Sequence, residues 1–157
     1  MSNTHNTKAV WKYSLTREKV LEIRENQRLD SPSEVAKVLQ AIGLDRLEQE
    51  HFVCFHLDTK HSIKAYTVVT IGLVDRSHVH AREVFRLAIM NGSSRVLLAH
   101  NHPSGDATPS EQDIDCNRKL VAGGKIIGID VLDHVIIGTS TASRPKAYLS
   151  FREEGLL

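Results

Sequence analysis

Two histidines, one serine and one aspartate stand between residues 100 and 113 at a spacing that suits a catalytic metal ion. The pattern is H-x-H-x7-S-x2-D, formed by His100, His102, Ser110 and Asp113. Imidazole nitrogens and carboxylate oxygens are ligands that zinc prefers, and three protein ligands leave a fourth position for water. The pattern therefore predicts a catalytic zinc site in a hydrolase, with His100, His102 and Asp113 as the ligands.

The elements around this segment can bring the three ligands together. Residues 95–99 are an apolar run that predicts a short buried strand, and an i, i+2 pair at its end points both histidine rings to one side. Residues 103–105 break the strand. Residues 108–111 then have a capping-box pattern with Thr108 as the cap and a proline at the first helical position. Asp113 falls just past the first turn, from which a tight loop returns it to the histidines.

The same residues resemble the signature of the JAMM (JAB/MPN) metalloproteases, and LAHNHPSGDATPSEQD is similar to their bacterial RadC-like branch. Further similar segments are EHFVCFHLDTKHSI, HAREVFRLAI, LDHVIIG and SFREEGLL, so the resemblance runs from about residue 45 to the C-terminus. Ala81 stands where the family more often has proline, and the helix-hairpin-helix segment of longer members is not recognisable. The resemblance implies zinc-dependent cleavage of a peptide or isopeptide amide bond by a metal-activated water.

Such a reaction needs a general base, because water must lose a proton and the leaving amine must gain one. In the family a glutamate on an early strand has this role, and the resemblance assigns it to Glu50 at the start of the first strand. Glu48, two residues away, and Glu83, in the next helix, stay open as alternatives. The resemblance also implies that Ser110 donates a hydrogen bond to the developing oxyanion.

The sequence around the other histidines is less typical of a metal site. His78 and His80, with Glu83 three residues on, form a second H-x-H pattern before an ordinary amphipathic helix, which favours helix capping or packing over metal binding. His134 is expected to be a strand residue with a hydrogen-bonded ring that Asp133 orients.

The element pattern predicts an α/β (α+β) fold, a JAB/MPN-like mixed sheet flanked by helices. Residues 51–57 and 63–71 indicate a hairpin and residues 81–90 a helix. A helix from Pro109 is expected to end near residue 122 at a Gly123-Gly124 turn, and a strand pair is expected through residues 131–137. Three regions are expected: a flexible tail at 1–14, an appendage of two helices at 15–44, and the MPN domain at 45–157.

Composition limits the possible partners and the cellular location. The 157 residues, 41% of them hydrophobic, suffice for one domain with a core. Twenty Lys and Arg against nineteen Asp and Glu leave a net charge of +1, which gives no global attraction for nucleic acid. No apolar run is long enough for a membrane span or a signal peptide, and the two cysteines lack C-x-x-C spacing. We therefore expect a cytoplasmic protein without a membrane partner.

The expected partner is a peptide or protein substrate. Two other functions stay open: an accessory protein linked to DNA repair, as the RadC name suggests, and a metal-bearing MPN scaffold without turnover. The sequence identifies neither the substrate nor the oligomeric state.

Overall fold

The computed structural model describes residues 27–72 and 79–157, with isolated positions between residues 12 and 19. The described residues form three α-helices, one 3-10 helix and five strands. In chain order they are α1 (Pro32–Ala41), the 3-10 helix (Leu44–Arg46), β1 (His51–Leu57), β2 (Ile63–Ile71), α2 (Ala81–Met90), β3 (Arg95–Asn101), α3 (Glu111–Ile127), β4 (Asp130–Ile137) and β5 (Tyr148–Ser150). None of the described helices is long and apolar enough to cross a membrane.

The five strands form one mixed sheet in the order β2-β1-β3-β4-β5. β1 is antiparallel to β2 and β3, β3 is parallel to β4, and β5 is antiparallel to β4. The parallel pair needs a crossover connection, which α3 supplies. The expected fold class, a JAB/MPN-like mixed sheet flanked by helices, is confirmed.

Helices cover both faces of this sheet. Successive side chains of a strand point to opposite faces, so β1 contributes Val53 and Phe55 to the core shared with α1, and Phe52 and Cys54 to the core shared with α2 and α3. Phe52 is the register partner of His100, and its ring stacks on the His100 ring with 5.9 Å between centroids. The histidine therefore faces the side of the sheet that α2 and α3 cover.

Several expected element boundaries are confirmed. The hairpin strands and the helix at 81–90 lie where the sequence predicted them, and the helix after Ser31 ends before Gly43, which has φ +77°. The strand pair expected at residues 131–137 is wrong, because these residues lie in the single strand β4, which pairs with β5 later in the chain. The flexible tail and the first appendage helix fall almost entirely outside the described residues. The expected boundary between the appendage and the MPN domain, after residue 44, stays a prediction. In the structure, α1 shares one apolar core with the sheet.

The turn predicted at Gly123-Gly124 is wrong, because α3 continues through both glycines to Ile127. Helical glycine costs about 1 kcal/mol relative to alanine, which favoured a turn at this point. Packing overrides that preference. A Cβ on Gly124 would collide with the carbonyl oxygen of Ile129, and a Cβ on Gly123 would lie 3.3 Å from Ala81 Cβ. The two glycines let α3 approach α2 and the start of β4.

Candidate metal centre

The C-terminal end of β3 carries the two candidate histidine ligands. His100 is buried in the strand, while His102 follows it and is half-buried. The backbone N–H of His102 donates to the carbonyl of Ile137 at 3.0 Å, which continues the pairing of β3 with β4. The Nε2 atoms of the two rings lie 3.0 Å apart. The two rings share one side, as their i, i+2 spacing predicted.

A tight turn after β3 fixes the ring of His102. The backbone N–H of Gly105 donates to the carbonyl of His102 at 2.8 Å, and Gly105 has φ +80°. Glycine is required here, because a Cβ would collide with the hydroxyl of Thr139. The turn places the carbonyl of Asp106 2.6 Å from His102 Nδ1, so Nδ1 donates and Nε2 keeps its lone pair toward His100.

Helix α3 begins with a capping box formed by Ser110 and Asp113, so the predicted box of Thr108 and Glu111 is wrong. The backbone N–H of Asp113 donates to Ser110 Oγ at 3.1 Å, and the Asp113 carboxylate accepts from the Ser110 backbone N–H at 2.7 Å. Thr108 instead donates its hydroxyl to Asp106 at 2.8 Å. An aspartate can satisfy the free N–H groups of a helix N-terminus as a glutamate does. Asp113 thus lies within the first turn of α3.

Asp113 faces both histidines from the start of α3. Its Oδ1 lies 3.5 Å from His100 Nε2, and its Oδ2 lies 3.6 Å from His102 Nε2. The hydroxyl of Ser110 donates to the same Oδ2 at 2.6 Å. The structure therefore brings the three predicted ligands together, with Ser110 in contact with the carboxylate.

Glu50 joins this group from a distant part of the chain. It immediately precedes β1, whose antiparallel register pairs Phe52 with His100. Its Oε1 lies 3.9 Å from His100 Nε2, and its side chain is 17% exposed. One potential ligand atom from each of four residues lies within 4.8 Å of the others; the four are Glu50, His100, His102 and Asp113.

The alternative bases and ligands lie outside this group. Glu48 is exposed, and Glu83 pairs with two arginines of α2. His80 is the N-cap residue of α2, but its side chain makes no capping hydrogen bond. His78 falls in the segment 73–78, which the structure does not describe. Within residues 27–72 and 79–157, no second group of this kind occurs.

The electrostatics of the group suit a cation. Burial lowers the pKa of His100 to about 4, against the opposing effect of Asp113. Burial alone would raise the pKa of Asp113, but its contacts with the histidines and Ser110 hold that pKa well below its usual range. Burial would lower the pKa of His102, but Asp113 raises it. An ionised carboxylate thus faces a neutral imidazole, and metal ligands must be in these protonation states.

The spacing of the donor atoms fits a bound metal ion. Two ligands held by zinc at ~2.0–2.2 Å in tetrahedral geometry lie roughly 3.3–3.6 Å apart. The distances from Asp113 to His100 and His102, 3.5 and 3.6 Å, fall in this range, and the distance between the histidine nitrogens, 3.0 Å, is slightly shorter. Two imidazole nitrogens and one carboxylate oxygen are a donor set that zinc accepts. His100, His102 and Asp113 can therefore hold such an ion.

A third histidine lies behind His100. His134, on β4, is fully buried, and its Nε2 is 2.8 Å from His100 Nδ1. Its ring packs between Phe52 and Phe151, with 5.3 and 4.5 Å between centroids. The sequence predicted a strand histidine with a hydrogen-bonded ring, but not its partner. A βαβ unit normally places its two strands side by side, and that rule could have indicated the contact.

Asp133 does not orient the ring of His134, so that expectation is wrong. Its Oδ1 accepts from the backbone N–H groups of His134 and Arg152 at 2.7 and 3.0 Å, and its Oδ2 accepts from Ser150 at 2.6 Å. Successive strand residues face opposite sides of the sheet, so the two side chains diverge. Asp133 instead joins β4 to the end of β5.

Comparison with known proteins relates this chain to one family. The family model described as RadC-like JAB domain matches residues 29–156. The chain belongs to this family. The resemblance to the RadC-like branch is thereby confirmed, and the matched residues include α1 as well as the sheet and both later helices.

Several similar proteins carry the name UPF0758. The chain is 50% identical over 111 residues to one from Methanococcoides burtonii, and 42% identical over 131 residues to one from Methanosarcina mazei. A third, from Bacillus cereus, is 41% identical over 135 residues. The alignments cover 71%, 83% and 86% of this chain, and 46%, 54% and 57% of the relatives. The chain therefore spans about half the length of the curated relatives that it matches.

Proposed function

We propose that this RadC-like JAB domain is a zinc-dependent hydrolase that cleaves a peptide or isopeptide amide bond. The observation that carries the proposal is the convergence of four potential ligand atoms within 4.8 Å of one another. They come from the segment before β1, the end of β3 and the first turn of α3. His100, His102 and Asp113 would hold the zinc ion. When bound, zinc supplies Lewis acidity and lowers the pKa of water.

Glu50 is the proposed general base. Its carboxylate lies beside His100 Nε2, at 3.9 Å, and stays partly open to solvent. A carboxylate in this place can take a proton from the attacking water and return it to the leaving amine nitrogen. The amide nitrogen then leaves as a neutral amine. Glu48 and Glu83, which lie outside the group, provide matched carboxylates for comparison.

Ser110 is the proposed donor to the oxyanion that develops on the substrate carbonyl. A well-placed donor of this kind contributes about 3 kcal/mol to transition-state stabilisation. The Ser110 hydroxyl donates to Asp113 Oδ2 at 2.6 Å, so it must turn away from the carboxylate to reach a substrate. A purely structural alternative is that the hydroxyl only orients Asp113. The two roles differ in their effect on zinc affinity.

The proposed substrate is a peptide or protein, and the proposed location is the cytoplasm. Both cysteines of the domain are free, which agrees with a reducing compartment. A net charge of +1 gives no general attraction for nucleic acid, whose binding depends on phosphate contacts. This chain matches only about half the length of its relatives. Any activity of such a longer protein as a whole is therefore also a proposal.

The test is a turnover screen of the zinc-loaded protein with peptide, isopeptide and nucleic-acid substrates. We expect hydrolysis of a peptide or isopeptide bond, its loss after chelation, and its recovery when zinc is returned. Glu50→Gln should lose most of the activity with zinc still bound, whereas Glu48→Gln should stay active. Zinc binding without turnover of any substrate would support the scaffold function. Sub-micromolar duplex binding at physiological salt would support the accessory role in DNA repair.

A further inference from the structure

The contact between His100 and His134 crosses the two parallel strands of the βαβ unit. Their rings lie 4.9 Å apart between centroids at 58°, and the bond joins His100 Nδ1 to His134 Nε2. The other nitrogen of His100, Nε2, faces His102 and Asp113. The two nitrogens of the His100 ring therefore face different partners: Nε2 faces the ligand group and Nδ1 faces β4.

The chemistry of imidazole determines which way this hydrogen bond runs. A neutral ring carries one N–H and one lone pair. If Nε2 of His100 binds a metal, the proton of the neutral His100 ring lies on Nδ1. Nδ1 must then donate to His134 Nε2. His134 then carries its own proton on Nδ1. Among the described residues, that atom has no hydrogen-bond partner.

Apolar packing alone does not require a histidine at position 134. The ring is fully buried and packs against Phe52 and Phe151, where an apolar ring would fit without an unpaired N–H. A buried polar group without a partner destabilises the folded state. The feature that a phenylalanine could not reproduce is the lone pair on Nε2, which faces His100.

We propose that His134 is a positioning residue of the metal site. Its Nε2 accepts a hydrogen bond from His100 Nδ1 and so holds the His100 ring with its Nε2 lone pair toward the metal ion. Histidine ligands usually donate to a carboxylate, a carbonyl or water, which fixes their orientation and tautomer. A neutral imidazole provides the same restraint without adding negative charge behind the ligand. The proposal rests on the metal site of the proposed function, but not on hydrolysis.

Three variants separate the hydrogen bond from packing. His134→Phe keeps an aromatic ring between Phe52 and Phe151 and removes the acceptor. His134→Gln retains an acceptor oxygen on a flexible side chain. Leu98→Val is the control, because Leu98 is buried, is the register partner of His134, and takes no part in the ligand group. It should lower stability without altering the His100 hydrogen bond.

The first readout is the zinc dissociation constant, measured by competition with a chromophoric chelator, beside urea unfolding of the metal-free proteins. We expect His134→Phe to bind zinc about 10–100-fold more weakly than the wild type does, and to be less stable because the buried His100 Nδ1 loses its hydrogen-bond partner. His134→Gln should recover most of the affinity, and Leu98→Val should bind zinc as the wild type does. Equal affinity of His134→Phe and wild type, or no recovery in His134→Gln, would overturn the proposal.

A second readout uses only the wild-type protein, in case the variants fail to fold. Nitrogen-15 NMR of the imidazoles in the zinc-loaded protein should show a proton on His100 Nδ1 and none on Nε2. A proton on Nε2 would overturn the proposal. The outcomes also separate it from the proposed function: wild type that binds no zinc defeats both, whereas zinc binding without hydrolysis defeats only the hydrolase.

Discussion

The side-chain oxygen of Asn101 accepts a hydrogen bond from the backbone N–H of His51 at 2.7 Å. Its amide nitrogen donates to the carbonyls of Leu47 and Gln49 at 3.3 and 3.1 Å. One buried side chain therefore holds the backbone on both sides of Glu50. Asn101 stands between the two candidate histidine ligands in sequence, so the strand that carries these candidates also positions the proposed base.

Replacing Asn101 should separate catalysis from metal binding. Asn101→Ala releases the segment that carries Glu50, and a misplaced catalytic group can lower the rate about 100-fold. The zinc ligands stay in place, so zinc content should remain near one ion per chain, measured by elemental analysis beside turnover. Asn117→Ala is the matched control: Asn117 is also buried and donates to the Leu156 carbonyl at 3.3 Å. Full activity in Asn101→Ala, or parallel loss of zinc, would contradict this role.

Glu50→Gln should lower hydrolysis by about 10²–10⁴-fold while zinc content stays near wild type. The amide keeps the shape of the side chain but cannot accept the proton. Glu48→Gln and Glu83→Gln should have little effect, because both residues lie outside the ligand group. Turnover and bound metal are measured on the same samples. If Glu83→Gln abolishes turnover and Glu50→Gln does not, the base has been assigned to the wrong element.

Ser110→Ala tests the two roles of that hydroxyl. Because the hydroxyl caps the N-terminus of α3, its removal should lower the free energy of unfolding by about 1 kcal/mol. If it also donates to the oxyanion, kcat of the zinc-saturated variant should fall about 100-fold. Ser110→Thr keeps the hydroxyl and should keep both properties. Weaker zinc binding with unchanged kcat would instead show that Ser110 acts only through Asp113.

His56 should make stability depend on pH at a place far from the metal site. Burial, with a contribution from Lys64, lowers its pKa to about 4, from 6.5 in an unperturbed histidine. Asn91 donates to its Nδ1 at 2.6 Å, and its Nε2 lies 3.2 Å from the Thr67 hydroxyl, which suits a neutral ring. The unfolded chain takes up the proton first. The stability that neutral His56 contributes is therefore complete above about pH 6.5 and is lost as pH falls toward 4.

Urea unfolding of the metal-free protein at several pH values measures this effect. Over that interval, wild type should lose about 2–3 kcal/mol more unfolding free energy than His56→Gln, which has no titrating group at this position. The other buried histidines are present in both proteins, so their contributions cancel in the difference. Identical pH profiles would show that His56 does not resist protonation in the folded state.

The sequence predicted the candidate ligand group because its three proposed ligands lie within one short strand-turn-helix segment. The positions of His100, His102 and Asp113 follow from local geometry, so their spacing alone indicated a site. Glu50 is different: it reaches the site through the pairing of β1 with β3, and its selection needed the family resemblance.

Features that depend on packing between distant residues were not predicted. The partner of His134 depends on the parallel pairing of β3 and β4, and the course of α3 through Gly124 depends on its approach to Ile129. The capping box was misplaced because Thr108 and Ser110 both suit an N-cap by type. Contacts with Asp106 and Asp113 distinguish them in the structure.

The amount of zinc bound per chain tests the central claim most directly. It should be measured by elemental mass spectrometry on wild type, the His100→Ala/His102→Ala double variant, and His80→Ala as a control for histidine loss. The claim predicts about one ion per chain in wild type and His80→Ala, and almost none in the folded double variant. A full complement of zinc in the double variant would contradict it and place the metal elsewhere in the chain.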